Sequence, residues 1–224
     1  MYDTLQPDLI TATTHERNLM HDDPTNAVTR ELFFNNQFPY LEVRRPFILG
    51  TQEHKWKATI GHRFFELLET KTQNKLTRIY TQNIDGLDYQ MTEIPEDKIV
   101  SVHGCISKVR CEGCNHPMDF DRFCDAVRNQ IKDIYKADEQ SPSESTHILC
   151  EKCKKPLVKP STVLFGGDMP MEFLDCVNQD LPHCDLLIVA GTSLVVAPAN
   201  AIVYNEEDFF NSGSLFNLDI PSRT

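Results

Sequence analysis

The chain has 224 residues, 40% hydrophobic and 25% charged, with a formal charge of −11 at pH 7. That is enough to bury a real core, and it argues against a disordered chain and against a membrane-spanning run of about 20 apolar residues. The acidic balance serves solubility and also suits a basic partner such as a lysine-rich peptide. It argues against direct nucleic-acid contact, which needs clustered Lys and Arg.

The opening residues, Met1-Tyr2-Asp3-Thr4-Leu5, hold no basic run followed by an apolar run, so no signal peptide and no membrane contact are expected. The eight cysteines are therefore expected as thiols in a reducing compartment, the nucleus or cytoplasm, rather than as four disulfides.

Residues 1–58 read as short helices and loops, broken by Pro7, Pro24, Pro39 and Pro46. Asp23-Pro24 marks a helix start, with Val28, Leu32 and Phe33 at helical spacing after it. Trp56 to Leu68 reads as a longer helix in which Ile60, Phe64, Leu67 and Leu68 share one face, and Lys71 to Lys75 is a polar connector. Four β-rich runs follow: Leu76–Asn83, Lys98–Gly104, Asp185–Gly191 and Ser214–Asp219. The third is continuously apolar, as in a strand buried on both faces. Helical segments between strands predict an α/β fold: a parallel sheet with helices on its faces.

A cysteine-bearing stretch interrupts the alternation at about 105–160. Cys111-Glu112-Gly113-Cys114 and Cys150-Glu151-Lys152-Cys153 are two C-x-x-C turns, each aiming two thiolates at one metal. A redox pair, an open catalytic zinc and four unrelated thiols are the alternatives. Four thiolates leave no open position, so the reading is one structural Zn2+ ion. The long separation between the pairs predicts an inserted helix over Phe123–Tyr135. An exposed acidic, Ser-rich loop is expected over Ala137–Thr146.

Three polar motifs fall at strand carboxyl ends, where open α/β sheets bind ligands. They are Thr81-Gln82-Asn83-Ile84-Asp85-Gly86, Val102-His103-Gly104 and Gly191-Thr192-Ser193-Leu194. Taken singly, each has a plainer reading: a capped turn, a structural histidine, a helix N-cap. In this order, with the cysteine pairs between the second and third, they resemble the sirtuins, the NAD-dependent protein deacylases, and among these the branch of classical deacetylases. Lys159-Pro160 to Phe165-Gly166, Pro198 and Asn217-Leu218-Asp219 carry the resemblance further.

The resemblance implies a Rossmann-like NAD-binding domain, residues 1–104 and 161–224, with helices on both faces of its sheet. Beside it would stand a small zinc-ribbon and helical module, residues 105–160, with the partly helical 1–58 as the cofactor-loop and small-domain region. An acyl-lysine peptide, histone or tubulin being examples, would give up its acyl group to the ribose of NAD, releasing nicotinamide. His103 would be the general base and Asn83 would position ribose and water. Asp85 would hold the nicotinamide amide, with Ile84 beside it and Gln82 on the ribose. Gly191, Thr192 and Ser193 would hold phosphate and ribose, and Asn217 and Asp219 the adenosine side. Val163, Phe165 and Gly166 would pair with the peptide backbone.

The family's first strand with its Gly-rich loop would precede Met1, and its last strand would follow Thr224. The chain by itself is therefore expected to bind NAD poorly. Cys105 and Gly167 stand where family members commonly have Ser and Glu. Two other readings compete. One is a non-catalytic, zinc-containing peptide-binding remnant. The other is an NAD oxidoreductase, disfavoured by the lack of a G-x-G-x-x-G fingerprint.

Overall fold

The computed structural model describes residues 5–193, 195, 197, 199, 200 and 202, and the backbone of 214–218. Its α-helices are α1 (Thr14–Asp22), α2 (Arg30–Asn35), α3 (Phe38–Gln52), α4 (Ile60–Lys71), α5 (Phe120–Gln130) and α6 (Met171–Asp180). Its strands are β1 (Ile79–Thr81), β2 (Ile99–Ser101), β3 (Val109–Cys111), β4 (Pro117–Met118), β5 (Val158–Pro160), β6 (Leu186–Ala190) and β7 (Ser214–Leu218). The chain folds into two compact units. One gathers Met1–Lys57, Ile84–Leu87 and Gly104–Asp168; the other gathers Ala58–Asn83, Asp88–His103 and Met169–Thr224. Residues 1–57 thus pack with the cysteine-bearing stretch, a wider grouping than the 105–160 boundary drawn from sequence.

The first unit is helical around a small antiparallel sheet of order β4-β3-β5. Capping decides where its helices begin. Thr13 and Glu16 form a reciprocal capping box on α1. Asp23 caps a 3-10 turn over Pro24–Val28, and Thr29 then caps α2. The single helix expected after Pro24 is therefore two short ones, yet Val28, Leu32 and Phe33 are all buried. Tyr40, Leu41 and Ile48 of α3 meet Phe123, Cys124 and Val127 of α5 and Val158 of β5 in one core. Helix α5 stops before Ile131, whose extended backbone and buried side chain leave the helix path. Arg45 Nε donates to the Ile131 carbonyl at 2.9 Å. The acidic stretch after it is only partly a free loop. Asp138 pairs with Arg45 at 2.6 Å, and Ser145 Oγ donates to the buried Glu42 at 2.5 Å.

In the second unit the strands pair in parallel, as the alternation of elements predicts. β1 and β2 align Ile79 with Ile99 and Thr81 with Ser101. β6 and β7 align Leu186 with Ser214 and Ala190 with Leu218. Among the described residues these are two separate hydrogen-bonded pairs rather than one ladder. Side chains alternate across the first pair. Ile79 and Ile99 cluster with Met91, Ile94 and Phe65 of α4, whereas Tyr80 and Val100 cluster with Phe173 of α6. Helices therefore cover both faces.

Helix α4 is rotated from its expected setting. Ile60, Phe64 and Leu67 are 90%, 39% and 52% exposed, while Glu66 and Glu69 are buried. The acids turn inward because they have partners. Lys98 reaches Glu69 at 2.6 Å, and Arg63 reaches Glu66 within the helix. A buried carboxylate left unpaired would cost several kcal/mol, of the order of what burying an exposed Ile and Leu would return.

Gly104, directly after His103, is the most tightly enclosed of the described glycines. Its φ is +75°, and a β-carbon built there would lie 1.9 Å from the Ser161 carbonyl oxygen. Only glycine fits both the left-handed conformation and the contact. Gly104→Ala is expected to lower stability by about 3 kcal/mol or more, read as a shift of the urea midpoint at unchanged slope.

Candidate functional site

Parallel pairing brings two of the polar motifs to one edge. β1 ends at Thr81 and β2 at Ser101, in register, and Val102 N–H donates to the Thr81 carbonyl at 2.9 Å. Gln82-Asn83 and Val102-His103 thus leave the pair at its carboxyl edge. Thr81 Oγ1 accepts from the Asn83 amide at 3.2 Å, fixing the turn that carries the exposed Asn83 side chain. The third motif joins through Gln82, whose Nε2 donates to Thr192 Oγ1 at 3.0 Å. Thr192 follows Gly191 at the carboxyl end of β6; Gly191 has φ +64°, and no described atom lies within 4 Å of where its β-carbon would stand. Ser193 is exposed beside it. In the neighbouring strand β7, Asn217 pairs with Val189, one residue before the carboxyl end of that ladder. Asp219 lies outside the described residues.

His103 is half-buried, and burial holds its imidazole below its ordinary pKa. The neutral, proton-accepting form therefore dominates at pH 7.

Ile84 and Asp85 belong to the other unit. The Ile84 carbonyl accepts from Ile106 N–H at 2.9 Å, and Asp85 Oδ1 accepts from Leu87 N–H at 3.0 Å. One carboxylate oxygen of Asp85 is thus spent on its own turn. Cys105 is buried, with its Sγ 3.1 Å from Ser107 Oγ.

Val163, Phe165 and Gly166 also lie in the first unit, and their backbone is partly committed. Phe165 N–H donates to Val28 O at 3.1 Å, and Phe165 O accepts from Arg30 N–H at 2.9 Å. A type II turn follows: Gly166 has φ +76°, and Gly167 N–H donates to Leu164 O at 2.8 Å. The Phe165 side chain is exposed, yet its peptide groups face Val28–Arg30. Gly167 lies close under the turn; a β-carbon there would lie 2.9 Å from Leu164 O.

The cysteines form a cluster. The sulfurs of Cys111, Cys114, Cys150 and Cys153 all lie within 4.8 Å of one another. Cys111 and Cys153 are 3.6 Å apart, as are Cys114 and Cys150. A tetrahedron with metal–sulfur bonds of about 2.3 Å has edges of about 3.8 Å, so the donor set fits Zn2+. The two turns repeat one design. Asn115 N–H donates to Cys111 O at 2.8 Å and Lys154 N–H to Cys150 O at 2.9 Å. Asn115 and Lys154 both adopt left-handed backbone, with φ 56° and 59°.

Burial opposes ionisation of Cys150. The amides of Cys153 and Lys152 and the thiols of Cys114 and Cys111 outweigh it and bring Cys150 down to about 6. Burial pushes Cys111 up to about 12. Thiolates this close repel one another, and a divalent cation is what allows all four to ionise.

The sequence reading assigned no role to Lys159, which is fully buried in β5. Burial pulls its ammonium down to about 8 against the opposing pull of Glu112, 3.1 Å away. A lysine one residue before a proline inside an apolar strand was the available signal.

The Sir2 family model matches residues 12–198. The NAD-dependent histone deacetylase SIR2 of Eremothecium gossypii is 30% identical over 206 residues, covering 83% of this chain and 36% of the relative. The NAD-dependent protein deacetylase sir-2.1 of Caenorhabditis elegans is 33% identical, covering 80% of this chain and 26% of the relative. The HST2 deacetylase of Candida albicans is 34% identical, covering 77% of this chain and 47% of the relative. This chain thus spans between about a quarter and a half of these relatives' length. A structure described as the structural basis of sirtuin substrate affinity superposes with a TM-score of 0.67 at 22% identity, covering 86% of this chain and 68% of that one. A Sir2 complex with deacetylated p53 peptide and 3'-O-acetyl ADP-ribose gives 0.67 at 20% identity, covering 91% and 73%. These neighbours share the Rossmann-like α/β fold, and the sequence match over residues 12–198 establishes that the chain belongs to the Sir2 family.

Proposed function

We propose that this chain carries the catalytic part of an NAD-dependent protein-lysine deacetylase. The observation that carries the reading is the hydrogen bond from Gln82 to Thr192, which joins the first and third polar motifs at a carboxyl edge that also carries His103. The names of the relatives supply the reaction class.

NAD would supply the ribose that accepts the acyl group. Gly191, with no described atom within 4 Å of where its β-carbon would stand, the Thr192 hydroxyl held by Gln82 and the exposed Ser193 suit phosphate and ribose. His103, neutral and half-buried, accepts a proton from a ribose hydroxyl. Asn83 orients the ribose and a water. Asp85 retains one carboxylate oxygen for an amide donor, next to Ile84. Asn217, near the carboxyl end of β7, and Asp219 serve the adenosine side. The region of Gln82, Asn83, His103 and Thr192 is thus the NAD-binding domain.

The acyl-lysine peptide pairs alongside Val163–Gly166. Phe165 contributes its exposed ring there rather than its peptide groups, and the ladder uses neighbouring backbone groups. The relatives named histone deacetylases favour a histone tail as substrate and the nucleus or cytoplasm as the place of action. No helix among the described residues is long and apolar enough to cross a membrane.

Purified protein given NAD and an acetyl-lysine peptide is expected to release nicotinamide, and His103→Ala to reduce that rate at least about a hundredfold. Unchanged turnover in His103→Ala would remove the base from the mechanism. The pH profile should fall on its acid side below about 6.5, the ordinary histidine value, because folding opposes protonation of His103. The same depressed pKa makes protonation of His103 a cost to stability that grows as pH falls from about 6.5 toward the folded value.

Metal analysis should find one zinc per chain. Cys150→Ser should lose the metal and lower the unfolding temperature, since metal-binding energy is folding energy for this unit.

A further inference from the structure

The ammonium of Lys159 holds two regions together. Its three donors meet three acceptors: Pro160 O at 2.8 Å, Thr162 O at 2.5 Å and Glu112 Oε1 at 3.1 Å. Glu112 stands between Cys111 and Cys114, and its amide donates to Leu157 O at 2.8 Å. Thr162 leads directly into Val163–Gly166. Its hydroxyl bonds to the buried Tyr40 hydroxyl at 2.8 Å, and the Tyr40 ring lies 5.7 Å from the Lys159 nitrogen.

Stability alone is a weak reason for this arrangement. A buried ion pair returns little more than its desolvation costs, and a methionine would fill the same space without a charge. What a methionine would not do is hold the carbonyls of residues 160 and 162 inward. Those two bonds, with the Ser161 amide donating to Lys108 O at 2.6 Å, hold the path by which the chain leaves β5 and enters the turn at Gly166.

We propose that Lys159 is a positioning residue that transmits metal occupancy of the four-cysteine cluster to the segment Val163–Gly166, through Glu112 on one side and the carbonyls of Pro160 and Thr162 on the other. The functional consequence rests on the reading of that segment as the peptide-pairing one. Metal loading fixes the Cys111–Cys114 turn and with it the Glu112 carboxylate. The carboxylate holds the ammonium, and the ammonium holds the two carbonyls. Loss of metal frees the first link and loosens the last.

Native hydrogen exchange reads the tether without peptide or NAD. The reporters are the amides of Phe165 and Gly167, each held by one backbone bond, with the amide of Ile131, bonded to Val127 O, as control. In the zinc-loaded wild type, chelation of zinc is expected to speed exchange at Phe165 and Gly167 about tenfold or more. Zinc-loaded Lys159→Met should already exchange there at the stripped rate, with Ile131 unchanged and with zinc affinity, by chelator competition, weakened about tenfold, the reciprocal of the coupling. Glu112→Gln, which keeps shape and loses charge, should lie between. Lys159→Met or Glu112→Gln exchanging like wild type, with the same response to zinc, would overturn the proposal. Equal acceleration at Ile131 in zinc-loaded Lys159→Met would reduce Lys159 to a general stabilising role and overturn it too. If Lys159→Met does not fold, Glu112→Gln decides alone.

Calorimetric titration with an acetyl-lysine peptide is the second arm. Binding should weaken about tenfold on zinc removal in the wild type and show no zinc dependence in Lys159→Met. A zinc-loaded wild type that binds no peptide would sink the peptide-pairing reading and leave the exchange result to judge the tether.

Discussion

Parallel pairing carries a direction: both strands deliver their carboxyl ends to the same edge. β1 and β2 are three residues long, and β1 owes its position to the register of Thr81 with Ser101. A slip of one residue would turn Tyr80 or Val100, whichever strand moved, away from α6 and move the Asn83 and His103 turns out of step. Ile79 and Ile99 on one face and Tyr80 and Val100 on the other hold that register from both sides. The polar edge is therefore a product of apolar packing. Gln82 at the end of β1, a largely buried strand, meets Thr192 at the end of β6, in which Val189 alone is buried.

Charge buried in partnership shapes the rest. In the second unit Lys98 draws Glu69 inward, and Arg78 with Tyr80 fixes Asp180 at the end of α6. In the first unit Arg45, Glu42 and Lys159 reach backbone carbonyls, an amide and a loop that no regular ladder satisfies. Each ion adds little net stability. Each supplies donors or acceptors where helix and strand leave backbone groups unmatched, and removing one partner would strand the other. The cysteine cluster obeys the same logic with sulfur, collecting charge that only a cation balances.

Part of this was legible in the sequence because it is local. Two C-x-x-C turns place four sulfurs by geometry that spans four residues each, so the metal site could be read from spacing. The β-rich runs and the polar residues after them could be read too, but the apolar run of β6 is not buried on both faces as expected: Leu186 is 44% exposed and Val189 alone in the strand is buried. The setting of α4 could not. Ile60, Phe64 and Leu67 have the spacing of a buried face, and the helix turns the other way because Lys98, about thirty positions on, pairs with Glu69. Nor could the commitment of Phe165 to Val28 and Arg30, nor the division that sends Ile84 and Asp85 to one unit and Gln82 and Asn83 to the other.

The sequence by itself determined the four-cysteine cluster, the existence and order of the β-rich runs and the family, because motif spacing and short apolar runs act within a few residues of themselves. Only the tertiary structure decided that Thr192 meets Gln82, that Gly104 must pass against Ser161, and that Lys159 joins a cysteine turn to the segment after β5. These contacts close over distances of about fifty residues or more along the chain. A contact of that range is set by how whole elements pack, and no local pattern encodes which distant carbonyl a buried ammonium will find.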